Sequence, residues 1–384
     1  MSRKSIDIVV LATADWDAPL WTNKQHTARS LRDHGHRVLY VESVGLRPPR
    51  IDKVDLARIA RRIKRMMQPP RLVEPQIWCW SPPSLPWQRY AAVRWLTRTA
   101  MSVLLKWWTR RLFGGDPDLV WTYNPMTTAL IRLPKSAKLA YHCVDDIAAQ
   151  PSMPAVQIRR HENELVTRAT RVFVTSPHLE TRWARTRPVT YLPNCVDAEH
   201  FSAQRSDHDP LAGIPSPRLG FVGAVSSFKI DADLLRHMCA NNPSWNLIVI
   251  GPREDADSAL TELLDAPNVH YLGTKSYAEI PSYMRALDVG LIPARLTPYA
   301  MSMFPMKFFE YLAAGLPVVA TELPALAAHS DVAALVPSRL WDRAIRAALA
   351  GTGPTITSRL NLARENSYTE RTAKMLRELG VGDV

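Results

Sequence analysis

Short runs of apolar, largely β-branched residues alternate with stretches of helical length almost from one end of the chain to the other, and that rhythm permits few folds. In the first half the runs are IDIVVLAT, RVLYVES, LVWTYN, LAYHCVD, RVFVTS and VTYLPN, separated by segments such as 23–34 and 156–168. A strand covered on both faces reads as a continuous apolar run, whereas one wet face makes it alternate. Continuous runs joined by helices therefore predict a parallel sheet with helices on both sides. The rhythm breaks once, over DAEHFSAQRSDHDPLAGIPSP (197–217), which is polar, holds three prolines and keeps no period, as an interdomain linker does. A second series follows in LGFVGAV, NLIVIG, NVHYLG, DVGLIP, PVVAT and AALVP. The expectation is an α/β chain of two doubly wound domains, 1–196 and 217–366, joined by a linker over 197–216. A last amphipathic helix, within 367–384, would cross back to the first domain. Ligands of such sheets gather at the carboxyl ends of the strands, so a cleft between the two domains is the expected site.

No run approaches the roughly 18 apolar residues of a membrane-spanning helix. The opening MSRKSIDIVVLATADWD sets basic residues before an apolar stretch, as a signal peptide does. Asp7 interrupts that stretch, however, and the pattern continues into a strand, loop and helix, so a cytoplasmic first strand is expected. Cys79, Cys143, Cys195 and Cys239 are scattered without ligand spacing and read as reduced, buried thiols.

The net charge of +12 is unevenly placed. Between Leu56 and Phe113 there are twelve Lys or Arg and one acid, Glu74, together with Trp78, Trp80, Trp87, Trp95, Trp107 and Trp108. A basic, tryptophan-rich surface suits anionic lipid headgroups, and suits nucleic acid less well. Projected as a helix, 89–112 puts Val93, Leu96, Ala100, Val103, Leu104, Trp107 and Trp108 on one side. Arg94, Arg98, Ser102, Lys106, Thr109 and Arg110 fall on the other. Such a helix either packs on the first sheet with its basic side in water, or docks on the inner leaflet of the plasma membrane. At that leaflet each basic residue is worth about 1 kcal/mol.

The most informative stretch is SMFPMKFFEYLAAGLPVVAT, Ser302–Thr321. Proline is tolerated in the first turn of a helix, so Pro305 suits its start. Lys307 and Glu310, three apart, share a face near that start. Gly315 ends the helix and Pro317 leads the next buried strand. A lysine beside free N–H groups and a positive helix end makes an anion site. A carboxylate one turn later can accept hydrogen bonds from two vicinal hydroxyls, such as those of a ribose. The same spacing also fits an exposed Lys–Glu pair on an ordinary helix.

This stretch and several others resemble one family. PMKFFEYLAAGLPVVAT is similar to the donor-site helix of GT-B nucleotide-sugar glycosyltransferases, and LGFVGAVSSFKIDADLL to their first C-terminal strand, glycine turn and helix. LYVES, YHCVDD, VFVTSPHLE and YLPNCVDAEHF extend the resemblance across both halves. Its flavour is that of the bacterial exopolysaccharide and teichuronic-acid transferases, with the xanthan glucuronosyltransferase as a wider relative. The resemblance implies a GT-B fold, two Rossmann-like domains facing a cleft, with the acceptor in the first and the nucleotide sugar in the second. It assigns Gly223 to close approach of the backbone to a diphosphate. It assigns Lys229 and Lys307 to the phosphates, Glu310 to the ribose, and Tyr299 and Met306 to the flanks of the nucleotide. It implies a UDP- or GDP-sugar as co-substrate, with no metal or other cofactor. The implied acceptor is a glycan or lipid-linked hydroxyl in cell-surface polysaccharide or glycolipid synthesis. Three positions depart from the family pattern: Ala224 stands where an arginine is common, Ser302 where a glutamate is, and Asp145 where a histidine is. The first two leave the sugar open, and the third leaves the stereochemistry open.

Asp145 follows a strand buried by pattern, where the catalytic groups of such sheets gather. A carboxylate there can deprotonate an acceptor hydroxyl, partial burial raising its pKa toward a useful value. The similar segment of the xanthan type implies that use, with inversion. Capping of the next turn by Asp145 or Asp146 is the other reading. His142 reads as a packed strand residue. Asp15 and Trp16, in the loop DWDAPLWTNKQH after the first strand, are candidate acceptor contacts or members of a surface turn. The D-x-D pairs Asp15/Asp17, Asp116/Asp118, Asp207/Asp209, Asp231/Asp233 and Asp255/Asp257 sit at helix starts, in the linker or in loops, and no metal site is expected from them. Two rivals stand beside transfer. One is a nucleotide-sugar epimerase on the same fold, whose extra carboxylates and histidines are not evident. The other is a basic nucleic-acid-binding protein, for which no motif is present.

Overall fold

The structure, a computed structural model, describes residues 5–18, 21–44, 68–83, 90–202 and 209–381. The chain forms two compact units, Met1–Leu192 with Thr369–Val384, and Pro193–Tyr368.

In the first unit β1 (Asp7–Leu11), β2 (Arg37–Val41), β3 (Arg71–Glu74), β4 (Ile77–Trp80), β5 (Leu119–Thr122), β6 (Lys138–Cys143), β7 (Arg171–Val174) and β8 (Val189–Tyr191) make one sheet. Its order is β3-β4-β2-β1-β5-β6-β7-β8. The neighbours run parallel except for the antiparallel β3–β4 hairpin at the edge. The order reverses between β1 and β5, so the carboxyl ends of those strands flank the switch point where ligands of such sheets bind. β1, β2, β5 and β6 are buried almost throughout, as their unbroken apolar runs require.

The hairpin was not read from the sequence, because RLVE and IWCW are four residues each and carry no clear alternation. It changes the account of the basic, tryptophan-rich region. Trp80 is a core residue at 1% exposure. Trp78 lies against the Phe113 ring, centroids 6.1 Å apart. Glu74 pairs with Arg29 and Arg32 at 2.5 and 3.1 Å. Trp87, Arg89 and the basic cluster at Arg58–Arg65 lie outside the described residues.

Helix Ala91–Phe113 does pack on this sheet, but by only part of the side its sequence pattern favours, Leu104 and Trp108 lying against the core. Its buried residues are Thr97, Met101, Leu105, Thr109 and Phe113, in successive four-residue steps. Leu96, Val103 and Trp107 from the apolar side stand 49, 63 and 51% exposed, with Trp95 at 61%. Lys106, Arg110 and Arg111 are exposed among them. Two threonines, Thr97 and Thr109, face the core. Thr109 Oγ1 donates to the Lys106 carbonyl at 3.2 Å, the back-bonding open to Thr in helices.

The last helix, Tyr368–Glu378, packs on the first sheet. Met375, Leu376 and Leu379 enter the core formed by Ile8, Val10, Tyr40, Trp121 and Phe173. Lys138 Nζ donates to the carbonyls of Leu379 and Gly380 at 2.7 and 3.0 Å.

The second unit is a six-stranded, fully parallel sheet ordered β11-β10-β9-β12-β13-β14. Its strands are β9 (Arg218–Val222), β10 (Asn246–Ile250), β11 (Val269–Tyr271), β12 (Val289–Ile292), β13 (Val318–Ala320) and β14 (Ala334–Leu335). Apolar cores lie on both faces. Part of the polar stretch read as a linker belongs to this unit. Ala198–Ser202 is a helix, and Val196, Phe201 and Leu211 are buried in the second core. Three anchors spaced five and ten residues apart leave no period to read. Residues 203–208 lie outside the described residues.

Candidate functional site

In the second unit two backbone turns meet at the carboxyl ends of β9 and β10. Gly223 N–H donates to the Ile250 carbonyl at 2.9 Å. Gly251 has φ +145, and a Cβ on it would fall 1.8 Å from the Gly223 oxygen, so only glycine fits there. The chain then closes a turn in which the N–H groups of Lys229 and Ile230 both donate to the Ser226 carbonyl at 2.9 Å. Lys229 Nζ ends 3.1 Å from Glu254 Oε2. Helix Lys307–Ala313 starts after Pro305, whose carbonyl accepts from Phe308 N–H at 3.1 Å. Lys307 Nζ donates to Glu310 Oε2. The Glu310 side chain is only 4% exposed, while that of Lys307 retains 25%. A buried carboxylate is thus held under a reachable ammonium.

Tyr311, which the sequence reading did not single out, fixes this helix to β9. Its hydroxyl accepts from Val222 N–H at 2.9 Å and donates to the Gly220 carbonyl at 3.2 Å. A Cβ on Gly290 of β12 would lie 2.6 Å from the Tyr311 ring, so that glycine makes room for it. Isolated glycines inside strand runs, GLIP and LGFV, were the available signal for such an approach. Tyr299 is 8% exposed with its ring 5.5 Å from that of Phe228, and Met306 is half-buried at the helix start. Ser302 is fully buried, and its hydroxyl closes its own helical turn on the Tyr299 carbonyl at 2.7 Å.

In the first unit Asp145 and Asp146 follow β6. Asp146 gives both oxygens to arginines, Oδ2 to Arg159 at 2.7 Å and Oδ1 to Arg182 at 3.2 Å. Arg182 also reaches Glu162 at 2.8 Å, and Tyr141 hydroxyl donates to the same carboxylate at 2.7 Å. Burial pushes the Glu162 carboxyl up, against the pull of Arg182. Asp146 makes no side-chain cap on the short 3-10 turn Ile147–Ala149. Asp145 is half-buried, and its carbonyl accepts from Ile147 N–H at 3.0 Å. Nearby, Lys24 is 9% exposed with Nζ 5.6 Å from the Tyr123 ring centre. Desolvation pulls the Lys24 ammonium down, and the charge of Asp145 opposes that pull. His142 is wholly buried, Nδ1 3.1 Å from the Tyr123 hydroxyl. Burial, with Arg371 and Lys24 near, pushes its pKa well below the ordinary 6.5, so it is a neutral packed residue.

The loop after β1 is pinned from three sides. Tyr40 hydroxyl donates to the Ala14 carbonyl at 2.9 Å, Gln25 Nε2 to the Asp15 carbonyl at 2.9 Å, and Trp16 N–H to Glu42 Oε1 at 3.0 Å. Trp16 is 6% exposed, its ring edge-on to Tyr40 and Trp21 at 5.1 and 5.3 Å. Its ring is a packing group, and Asp15 is the half-buried member of the pair. Among the described residues no group of three or more His, Cys, Asp or Glu is placed to hold a metal ion. Asp231 and Asp257 cap helices, accepting from Leu234 and Ala259 N–H at 3.0 Å each.

Residues 216–357 match the family model described as Glycosyl transferases group 1. The matched residues lie within the second unit and make up less than half of the chain. The chain is 31% identical over 243 residues to TuaH of Bacillus subtilis, named for teichuronic acid biosynthesis as a glycosyltransferase. That match spans 59% of this chain and 61% of the relative. Among solved structures, sucrose-phosphate synthase from Thermosynechococcus elongatus aligns with a TM-score of 0.71 at 16% identity, over 99% of this chain and all of that one. Anabaena HepE, solved with UDP-glucose, aligns at 0.65 and 17% identity over 97% of this chain and 99% of its own. The fold is GT-B. Ser302 is committed to its own turn, and Ala224 places a half-buried methyl group beside the Gly223 turn.

Proposed function

We propose that this chain is a glycosyltransferase that takes a sugar from a nucleoside diphosphate sugar, UDP- or GDP-linked, and passes it to a hydroxyl of a glycan or lipid-linked acceptor. The observation that carries the reading is the Lys307–Glu310 pair on the first turn of its helix in the group 1 domain. The ammonium, beside the positive helix end, suits a diphosphate, and the buried carboxylate suits two ribose hydroxyls. Gly223 lets the backbone approach the phosphates, Lys229 adds a second cation, and Tyr299 and Met306 flank the nucleotide. The two lysines stabilise the leaving diphosphate. Asp145 of the first unit takes the proton of the acceptor hydroxyl, and Asp15 contacts the acceptor. The solved complexes of Anabaena HepE with UDP and UDP-glucose support a nucleotide-sugar donor here by likeness of fold.

The acceptor is met at the anionic inner face of the plasma membrane. Supporting this, helix Ala91–Phe113 turns Leu96, Val103 and Trp107 outward among Lys106, Arg110 and Arg111. Among the described residues no helix is long and apolar enough to cross a membrane.

Calorimetry with UDP and GDP tests the donor site. Lys307→Ala is expected to weaken binding by about 1.5–3 kcal/mol, the worth of a charge-assisted contact. Glu310→Gln is expected to weaken both nucleotides while sparing inorganic pyrophosphate. Unchanged nucleotide affinity in both variants refutes the assignment.

A further inference from the structure

Two adjacent acids after β10, Glu254 and Asp255, face the turn that carries Lys229. Asp255 Oδ2 accepts from Ser226 Oγ at 3.0 Å, Ser227 N–H at 3.0 Å and Ser227 Oγ at 3.1 Å, and Oδ1 accepts from Asp257 N–H at 3.3 Å. The same loop is stitched to the β9 side by its backbone, Val225 N–H donating to the Pro252 carbonyl and Glu254 N–H to the Val225 carbonyl, both at 2.9 Å. From the opposite side Arg295 donates to the carbonyls of Ser227 and Lys229 at 3.1 and 2.9 Å. The turn is therefore fixed before any ligand arrives. Desolvation acts to raise the Asp255 carboxyl, but the donors from Ser226, Ser227 and Asp257 hold it below the usual carboxylate range. With its backbone pinned, Glu254 keeps its carboxylate 3.1 Å from Lys229 Nζ, the two side chains 46 and 35% exposed.

We propose that this loop belongs to the donor site: Asp255 positions the turn that presents Lys229, and Glu254 occupies the Lys229 ammonium until a diphosphate displaces it. The inference rests on the reading of the second unit as a nucleoside diphosphate sugar site and names two positioning residues in it. An exposed ion pair is weak and exchangeable. A diphosphate brings more negative charge than one carboxylate and takes the lysine, while Glu254 remains as a competitor that lowers donor affinity. The two acids therefore act with opposite signs. Glu310, by contrast, is buried under Lys307 and stays in place.

The test is calorimetric titration of the full chain and its variants with UDP and GDP, and with uridine and guanosine as controls without phosphate. Glu254→Gln frees Lys229 and is expected to tighten nucleoside diphosphate binding about two- to five-fold, the range of an exposed ion pair. Asp255→Asn is expected to weaken it about tenfold, as loss of a charged acceptor does. Neither variant is expected to change nucleoside affinity, and Glu254→Gln is expected to leave the thermal midpoint unchanged. Unchanged or weaker diphosphate binding in Glu254→Gln overturns the proposal, as does an Asp255→Asn defect that is equal for nucleoside and nucleotide. If the unaltered chain binds neither UDP nor GDP, the donor reading falls and takes this inference with it. Normal binding with indifferent variants removes the inference alone.

Discussion

A carboxylate that takes a proton from an acceptor needs a lone pair kept for it, and Asp146 gives its oxygens to Arg159 and Arg182. That clamp fixes the turn one residue after Asp145, which stays half-buried beside the end of β6. If Asp145 is the base, Asp145→Asn should lower kcat by about 10²–10⁴-fold while donor affinity holds, because general-base catalysis contributes on that order. Proton NMR of the first-formed product should show inversion, since an activated hydroxyl attacks opposite the leaving diphosphate. A retained product, or near-normal turnover in the Asn variant, removes Asp145 from that role. Placements set by nearby positions were legible in the sequence: the Lys307–Glu310 pair and the turn at Gly315 sit within a few positions of one another. Tyr311 was not, because its partners Gly220, Val222 and Gly290 are far away along the chain and become neighbours only when the sheet forms.

The strands show the same division at the next scale. Buried parallel strands announce themselves as unbroken apolar runs, whereas the short β3–β4 hairpin depends on an edge of the sheet that needs covering. Helix Ala91–Phe113 was recognisable as a helix, but which side it buries was decided by what lay opposite. Met101, Leu105 and Phe113 meet a core built by Val9, Leu39, Val120 and Trp80. That leaves Leu96, Val103 and Trp107 in water, a stripe that a soluble surface has no need of. Vesicles rich in anionic lipid should therefore bind the protein at low salt and release part of it as salt rises, the charges being screened and the apolar contact not. Replacing Leu96, Val103 and Trp107 with serine should abolish the salt-resistant part. Lys106, Arg110 and Arg111 changed to glutamate should abolish the salt-sensitive part. Equal binding of all variants, or equal binding to neutral vesicles, would sink the docking surface.

For the whole molecule the consequential feature is that the first unit is completed by the last residues of the chain. A core needs its final apolar surfaces covered, and the layer over β1, β2 and β5 takes Met375, Leu376 and Leu379 from a helix some 180 residues beyond that unit's other elements. Sequence pattern shows that such a helix is amphipathic, but not which sheet receives it. Burying a Leu or Met side chain is worth roughly 1.5–3 kcal/mol, and the cavity left by truncation adds to the loss. Met375→Ala and Leu376→Ala should each cost about 2–5 kcal/mol, with the loss confined to the first unit. Denaturation monitored by hydrogen exchange, resolved by segment, should show β1, β2 and β5 losing protection while β9, β10 and β12 keep theirs. UDP or GDP binding, if the second unit holds the nucleotide as proposed, should survive at temperatures where the first has begun to open. Uniform loss of protection across both sheets would mean that the two units unfold as one, and that the last helix does not serve the first alone.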